Sequence, residues 1–282
     1  MIYPDKAQTA KAVEKHYNSL DEFYRKLWGD HLHHGLWKSG KETVEEATEQ
    51  LIDLVVKAGN IQEMSRICDV GCGYGATSRY LAESCKAYVT AMTLSSSQWN
   101  YATKINPTST NPQYLLGDFL HNNLPSSSFD VVISIESSEH MENKPQFFKE
   151  VSRILKPKGR FVTSVWLAKD SPSPWEVKYL LEPICREGRL PSMGSERDYK
   201  EMMERAGLSQ IEFEDLSSSV KKTWEICSYR TIKGFCTDKE IRKYILNQNA
   251  SDRVFAKTVM RILTAYKTQS MRYGLFSSIK EG

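Results

Sequence analysis

The stretch RICDVGCGYGATSRYLA, residues 66–82, constrains the fold more than any other part of the chain. A short apolar run, RICDV, leads into a glycine-rich turn, GCGYG, and the turn opens a segment with helical patterning, ATSRYLAESC. Strand, glycine turn and helix in that order begin a nucleotide-binding α/β unit. The glycines let the backbone approach a ligand, and the helix N-terminus presents unpaired N–H groups. Gly71, Gly73 and Ala76 satisfy a G-x-G-x-x-G/A pattern, which alone fits any dinucleotide fold.

The alternation continues downstream. AYVTAM is a strand and SSSQWNYATKI a helix; QYLLGDF and the β-branched FDVVISI are strands. KPQFFKEVSRIL is a helix that KPKG stops, and RFVTSVWL is another strand. Strands alternating with helices predict an α/β, Rossmann-like, mostly parallel sheet with helices on both faces. Upstream, Val13, Tyr17, Leu20, Tyr24 and Leu27 recur at helical spacing, and TVEEATEQLIDLVVKAGN is a second helix with Thr43 or Ser39 as cap and Gly59 as stop. Residues 168–194 hold four prolines and form a cap over the carboxyl edge of the sheet. Ser195 caps a helix, SQIEFEDL is a strand, a helical stretch covers about 218–266, and MRYGLFSSI is the last strand. The expected organisation is one domain, 1–282. Helices within 1–60 lie over the cofactor, 61–166 form the cofactor-binding core, and 167–195 and 218–266 are cap and lid insertions.

Asp69 separates the possible ligands. It is the penultimate strand residue, beside the glycine turn. A carboxylate there opposes a pyrophosphate but favours the ammonium and sulfonium of S-adenosylmethionine. The alternative is an Asp that only caps the turn. Dinucleotide folds also place an acid at the end of the second strand, where this chain has Thr93. Asp118, at the end of LLGD, could accept from an adenine amino group, with Phe119 against the ring; a plain Gly-Asp turn is the competing reading. Glu136, Ser137, Ser138, Glu139 and His140 lie just past the fourth strand, where open α/β sheets form their ligand crevice.

Taken in order, RICDVGCGYGATSRYLA, AMTLSSSQ, GDF, SSFDVVISIESSEHM and VSRILKPKGRFV resemble class I S-adenosylmethionine-dependent methyltransferases over about 66–166. LWGDHLHHGLW and IESSEHM are similar, more narrowly, to the gamma-tocopherol methyltransferase-like branch and its sterol and cyclopropane-fatty-acid relatives. The resemblance implies a seven-stranded sheet whose last strand is antiparallel, hairpinned to its predecessor across a helical lid. It implies that Asp69, Gly71 and Gly73 hold the methionine end of S-adenosylmethionine. Thr93, the Leu94 backbone and Gln98 then take the ribose, and Tyr17 lies near the cofactor carboxylate. Glu136 joins this cofactor-binding set.

On the acceptor side, His31, His33 and His34 fall within four residues. No carboxylate or Cys completes a known ligand spacing, so no metal is expected. His33, His34 and Trp37 are candidates to line the acceptor pocket, with capping, solvation or core packing as alternatives. Trp166, Trp175 and Trp224 are further candidates for an apolar acceptor cavity. A hydroxyl or carbon acceptor must lose a proton, which needs a base. Glu139 and His140 are the candidates, against a reading in which they only cap and hydrogen-bond.

The leading expectation is C- or O-methylation of a small lipophilic acceptor that is prenyl, phenolic or sterol-like. N-methylation of a small amine is the alternative. A formal charge of +3 with interleaved signs argues against a nucleic-acid partner. The six cysteines form no CxxC pair, no apolar run approaches the ~20 residues of a membrane span, and the start has no apolar leader. The expectation is a cytoplasmic enzyme with reduced thiols.

Overall fold

The computed structural model describes residues 1–21, 25, 31–105, 110–239, 242, 243 and 255–282, with side chains in the last segment from Thr258 onward. Seven strands form one sheet: β1 (Arg66–Val70), β2 (Tyr88–Thr93), β3 (Gln113–Leu116), β4 (Phe129–Ile135), β5 (Leu155–Ala168), β6 (Leu208–Asp215) and β7 (Met271–Lys280). Their order is β3-β2-β1-β4-β5-β7-β6. The first five pair in parallel, and β7 runs antiparallel between β5 and β6. The antiparallel last strand and its hairpin with β6 are as expected.

The strand order reverses between β1 and β4, which open a crevice at their carboxyl ends. The helices that cover the two faces are amphipathic for identifiable reasons. Helix α1 (Ala10–Ser19) is capped by the Thr9 side chain, and its continuation through Tyr24 and Leu27 lies outside the described residues. Helix α2 (Val44–Ala58) starts at a reciprocal capping box between Thr43 and Glu46, an arrangement whose loss costs about 1 kcal/mol. Thr43, not Ser39, is therefore the cap. Gly59 ends this helix at φ −76°, so its left-handed freedom is unused; Asn60, at φ 45°, makes the turn. Leu51, Ile52 and Val55 bury this helix against the core on one face of the sheet. On the other face, helix α5 (Lys144–Ile154) contributes Phe147, Phe148 and Val151, which pack with Tyr199, Met203 and Phe276. Between α2 and α5 lie α3 (Ala76–Ser84) and α4 (Ser96–Ile105).

The KPKG segment differs from expectation. It does not lie outside the strands; β5 begins at Leu155 and runs through it. The pairing with β4 jumps from Phe129↔Leu155 to Val131↔Arg160, so 156–159 bulge out, with Lys158 at φ 63°. A bulge accommodates Pro157, which has no N–H for the ladder.

The proline-rich cap is more regular than its composition suggests. Residues 174–187 form a continuous helical run, α6, with a wide-turn segment at Val177–Leu181. Pro174 stands in the first turn, where a missing N–H costs little, and Pro183 follows just after the wide-turn segment inside the run. Helix α7 (Glu196–Arg205) is capped by Ser195. The lid comprises Ser217–Val220, α8 (Lys222–Thr237) and α9 (Phe255–Lys267), and the middle of the expected 218–266 stretch lies outside the described residues. No helix among the described residues is long and apolar enough to cross a membrane.

Candidate active site

The glycine turn after β1 is shaped by two different demands. Gly71 sits at φ 78°, and a Cβ there would lie 2.2 Å from Cβ of Ser137. The Gly71 and Cys72 N–H groups both donate to the Met92 carbonyl, at 2.8 and 2.9 Å, pinning the turn to β2. Gly71 is thus a packing requirement. Gly73, at φ 54°, faces open space with nothing within 4 Å of its absent Cβ. Gly73 lines the open cleft. Gly71→Ala combines a left-handed backbone with an overpacked contact and is expected to destabilise the fold by about 2–3 kcal/mol, measured by urea unfolding.

Asp69 is 2% exposed, at the carboxyl end of β1. The Ser78 hydroxyl donates to it at 2.5 Å. Burial pushes its carboxyl up to about 6, with the Ser78 hydrogen bond pulling the other way. The cleft beside it is lined by Tyr17, Asp69, Gly71, Gly73, Thr93, Leu94, Gln98, Asp118, Phe119 and Glu136. All ten sequence candidates for cofactor binding therefore share one concavity.

Several of these side chains are engaged internally. The Thr93 hydroxyl donates to the Gln98 side-chain carbonyl at 2.9 Å and accepts from the Ser95 N–H at 3.2 Å. Asp118 accepts from the Leu120 N–H and pairs with Nδ1 of His121, so it caps the short turn Phe119–His121. Phe119 packs on Phe147 with ring centroids 5.6 Å apart.

The segment after β4 holds the densest polar network. Glu136 takes φ 50°, and its carboxylate meets the N-terminal segment at His34. That carboxylate accepts from the backbone N–H and Nδ1 of His34, at 2.6 and 2.9 Å, from the Trp166 indole at 2.9 Å and from the Tyr273 hydroxyl at 2.8 Å. Burial would raise its pKa, but His34, which bonds it twice, and nearby His33 outweigh burial and hold it down to about 2. The Trp224 indole donates to Nε2 of His34 at 2.5 Å. An indole N–H only donates, so Nε2 is the acceptor and Nδ1 carries the proton. Trp166, Trp224, Tyr266 and Tyr273 surround that imidazole within 6 Å. His33 is buried too, which lowers its pKa; it bonds the His34 carbonyl at 2.9 Å.

Glu139 and His140 differ sharply. Glu139 is 2% exposed, and its Oε1 accepts from the Trp166 backbone N–H at 2.7 Å. Burial pushes its carboxyl up to about 8, against the Trp166 bond and with help from nearby Glu136. His140 has both ring nitrogens engaged: Nδ1 with the Arg189 carbonyl at 3.3 Å and Nε2 with the Tyr17 hydroxyl at 2.9 Å. A carbonyl only accepts, so Nδ1 carries the proton and Nε2 accepts from Tyr17. Burial lowers the His140 imidazole to about 4.

A second cavity adjoins the cleft. Glu139, His34, Trp166, Thr223 and Trp224 line it, and it shares Tyr17, Leu32, His33, Glu136 and His140 with the first. Trp37 lies elsewhere, lining a smaller cavity; its indole donates to Thr223, a wall residue of the second. Trp175 lines neither of the two cavities and is 50% exposed on the cap. An aromatic residue in a proline-rich segment carries no period to show which way it faces.

Sequence reasoning missed Ser78, Lys144, Tyr266 and Tyr273. Lys144 is buried, and its ammonium donates to the carbonyls of Glu139 and Met141 and to the Ser192 hydroxyl. Burial lowers it to about 8, opposed by Glu139. Its only visible signal was a lysine at the start of a helix, where a cation opposes the helix dipole. Among the described residues no group of three or more His, Cys, Asp or Glu side chains could hold a metal.

A family model described as mycolic acid cyclopropane synthetase matches residues 4–261. The chain is 27% identical to a chloroplastic tocopherol O-methyltransferase of Arabidopsis thaliana, over 96% of this chain and 82% of that protein. It is 33% identical to a glycine/sarcosine/dimethylglycine N-methyltransferase of Actinopolyspora halophila, over 77% of this chain but 38% of that longer protein. In three dimensions it resembles the cyclopropane synthase MmaA2 of Mycobacterium tuberculosis, with a TM-score of 0.84 at 20% identity, covering 98% and 100% of the two chains.

Proposed function

The chain belongs to the mycolic acid cyclopropane synthetase family, and on that footing we propose that it methylates a lipophilic, prenyl-, phenol- or sterol-like acceptor at carbon or oxygen. It is an S-adenosylmethionine-dependent methyltransferase. The residues of the cleft fit that cofactor: Gly73 leaves space beside a buried carboxylate, and the groups farther along are neutral or acidic. When bound, S-adenosylmethionine supplies an electrophilic methyl on a sulfonium that departs as a thioether.

The protein's own part is to bind, orient and take a proton. Asp69 pairs with the ammonium of the methionine moiety. The Gln98 amide, steadied by Thr93, and the Leu94 backbone meet the ribose. Asp118 and Phe119 border the adenine end. Tyr17 and His140 form the partition between cleft and acceptor cavity, with the Tyr17 hydroxyl held toward His140 and not free-standing. His33, His34, Trp166 and Trp224 enclose the acceptor. Glu139, at the back of that cavity, takes the proton from the acceptor as the new bond forms. His140 is the weaker candidate, because its imidazole is a poor base at neutral pH and its acceptor nitrogen is occupied.

The carrying observation is the second cavity, walled by Trp166, Trp224, Leu32 and Leu190 and meeting the cofactor cleft at Tyr17 and His140. Its one strongly acidic group, Glu136, is saturated by four hydrogen bonds within the protein. Little fixed negative charge is left to select an ammonium. This favours a neutral acceptor that loses a proton over a small cationic amine. The test is a transfer assay across prenyl phenols, isoprenyl diphosphates, sterols and small amines, beside calorimetry with S-adenosylhomocysteine and NAD. Transfer confined to the amines overturns the lipophilic reading.

Asp69 also predicts a pH dependence. Its pKa without ligand is raised to about 6, and pairing with an ammonium favours its charged form. Below about 6, binding must first displace a proton, so affinity falls as pH falls. Calorimetry at pH 7 and pH 5 is expected to show about tenfold weaker binding of S-adenosylhomocysteine at the lower pH. An affinity flat across that interval removes Asp69 from the ammonium site.

A further inference from the structure

Helix α8 has two working faces. Inward, Thr223 and Trp224 line the acceptor cavity, while Cys227 and Arg230 line the smaller one beside it. Outward, Tyr229, Ile232 and Phe235 recur every three residues and are 65%, 56% and 37% exposed. Helix α9 packs against α8 on one side and against α6 on the other. It adds exposed Met260, and α6 adds Trp175 and Tyr179. Of the twelve large apolar side chains that stand exposed among the described residues, six lie on these three adjoining helices. Isolated exposed apolar residues are ordinary, but their concentration on one cap is not.

The charge distribution selects the partner. Residues 221–270 hold eleven of the 38 Lys and Arg but four of the 35 Asp and Glu. This segment is net +7 in a chain of net +3, so the other 232 residues are net −4. The low overall charge conceals a polarised molecule. Lys221, Lys233, Lys239, Arg242 and Lys243, on and just beyond α8, are exposed, with Glu225 and Asp238 as the exposed acids among the described residues of that stretch. A second copy of the chain would bring two such cationic faces together, which electrostatics opposes. An anionic bilayer complements both the charge and the apolar side chains.

We propose that the outer face of the cap, formed by α6, α8 and α9, docks on an anionic lipid bilayer, from which the acceptor reaches the cavity under α8. The inference rests on the lipophilic-acceptor reading. It gives the lid a second purpose: the helix that walls the acceptor cavity is the one that touches the membrane.

The test is vesicle flotation of the full chain with phosphatidylcholine containing about 30% phosphatidylglycerol, against phosphatidylcholine alone. Binding is expected with the anionic vesicles, with at least about tenfold less on the neutral ones and in high salt. The triple variant Y229S/I232S/F235S is expected to lose about tenfold in vesicle binding. It should keep its affinity for S-adenosylhomocysteine and its transfer to a detergent-dispersed prenyl phenol, which shows that it folds. Three results overturn docking: no flotation with anionic vesicles, flotation unchanged in the triple variant, or a dimer in sedimentation that the triple variant dissolves. Transfer to the dispersed prenyl phenol without vesicle binding overturns docking alone. Vesicle binding with transfer confined to water-soluble amines overturns the lipophilic reading, and delivery of acceptor from the bilayer with it.

Discussion

Glu139→Gln lowers kcat by about 10²–10⁴-fold and leaves the affinity for S-adenosylhomocysteine within about twofold. The substitution keeps the shape of the site. A Gln Oε1 still accepts the Trp166 backbone N–H that Glu139 accepts at 2.7 Å. What disappears is the basicity of the carboxylate on a residue that lines the second cavity. A carboxyl pushed up to about 8 by burial is matched to neutral-pH proton transfer, because an ordinary carboxylate is too weak a base. The wild-type rate should therefore rise with pH as Glu139 deprotonates, with its midpoint near 8, and the variant should lose that limb. Lys144, whose ammonium holds the Glu139 carbonyl and is itself lowered to about 8, titrates with it, so the observed midpoint belongs to the pair. Stopped-time methyl-transfer assays between pH 6 and 9 measure this. An unchanged kcat leaves Glu139 as an anchor for β5 and nothing more.

Asp69→Ala raises the dissociation constant for S-adenosylhomocysteine by about 10²–10³-fold, the loss expected when one partner of a buried charge pair is removed. The apo protein should tolerate the change, since burial already disfavours the charged carboxylate and only the Ser78 hydroxyl loses its partner. Calorimetry and thermal unfolding of the same variant separate the two effects. Weakened binding with a preserved melting transition assigns Asp69 to the ligand. A collapsed transition with normal binding in the surviving fold assigns it to the turn.

Much of the first cleft was legible because its signals are local. The glycine turn, the helix caps at Thr43 and Ser195 and the alternation of strands and helices each sit within a dozen residues of chain. The ten cofactor candidates then converge on one cleft because strands in this topology deliver their carboxyl ends to one crevice. Even there the sequence conflated two glycines. Gly71 is required by Ser137, a residue 66 positions away, whereas Gly73 faces open space in the cleft. Thr93 is similar: in place of the missing acid it bonds Gln98 and Ser95, organising the turn before it offers anything to a ribose.

The second cavity was only partly legible. His34, Trp166 and Trp224 line it, but Trp37 backs it through Thr223 and Trp175 lies on the outer cap. Indole side chains carry no mark of whether they will face a cavity, a core or solvent. Lys144 and Tyr273 went unseen because their partners are Ser192 and Glu136, and no spacing rule joins such pairs.

The sequence alone determined the order of elements and the crevice, because period, glycine and capping chemistry act over a few residues, while the cofactor class came from Asp69 together with the family resemblance. The tertiary structure alone decided which groups are ionised and which are spent on one another. Glu136 and Glu139, three residues apart in one segment, are driven in opposite directions, to about 2 and about 8. The difference comes from His34 and His33 of the N-terminal segment, which outweigh burial at Glu136, whereas burial prevails at Glu139. Desolvation and hydrogen bonding depend on what surrounds a carboxylate in space, and that is fixed only when distant parts of the chain close around it.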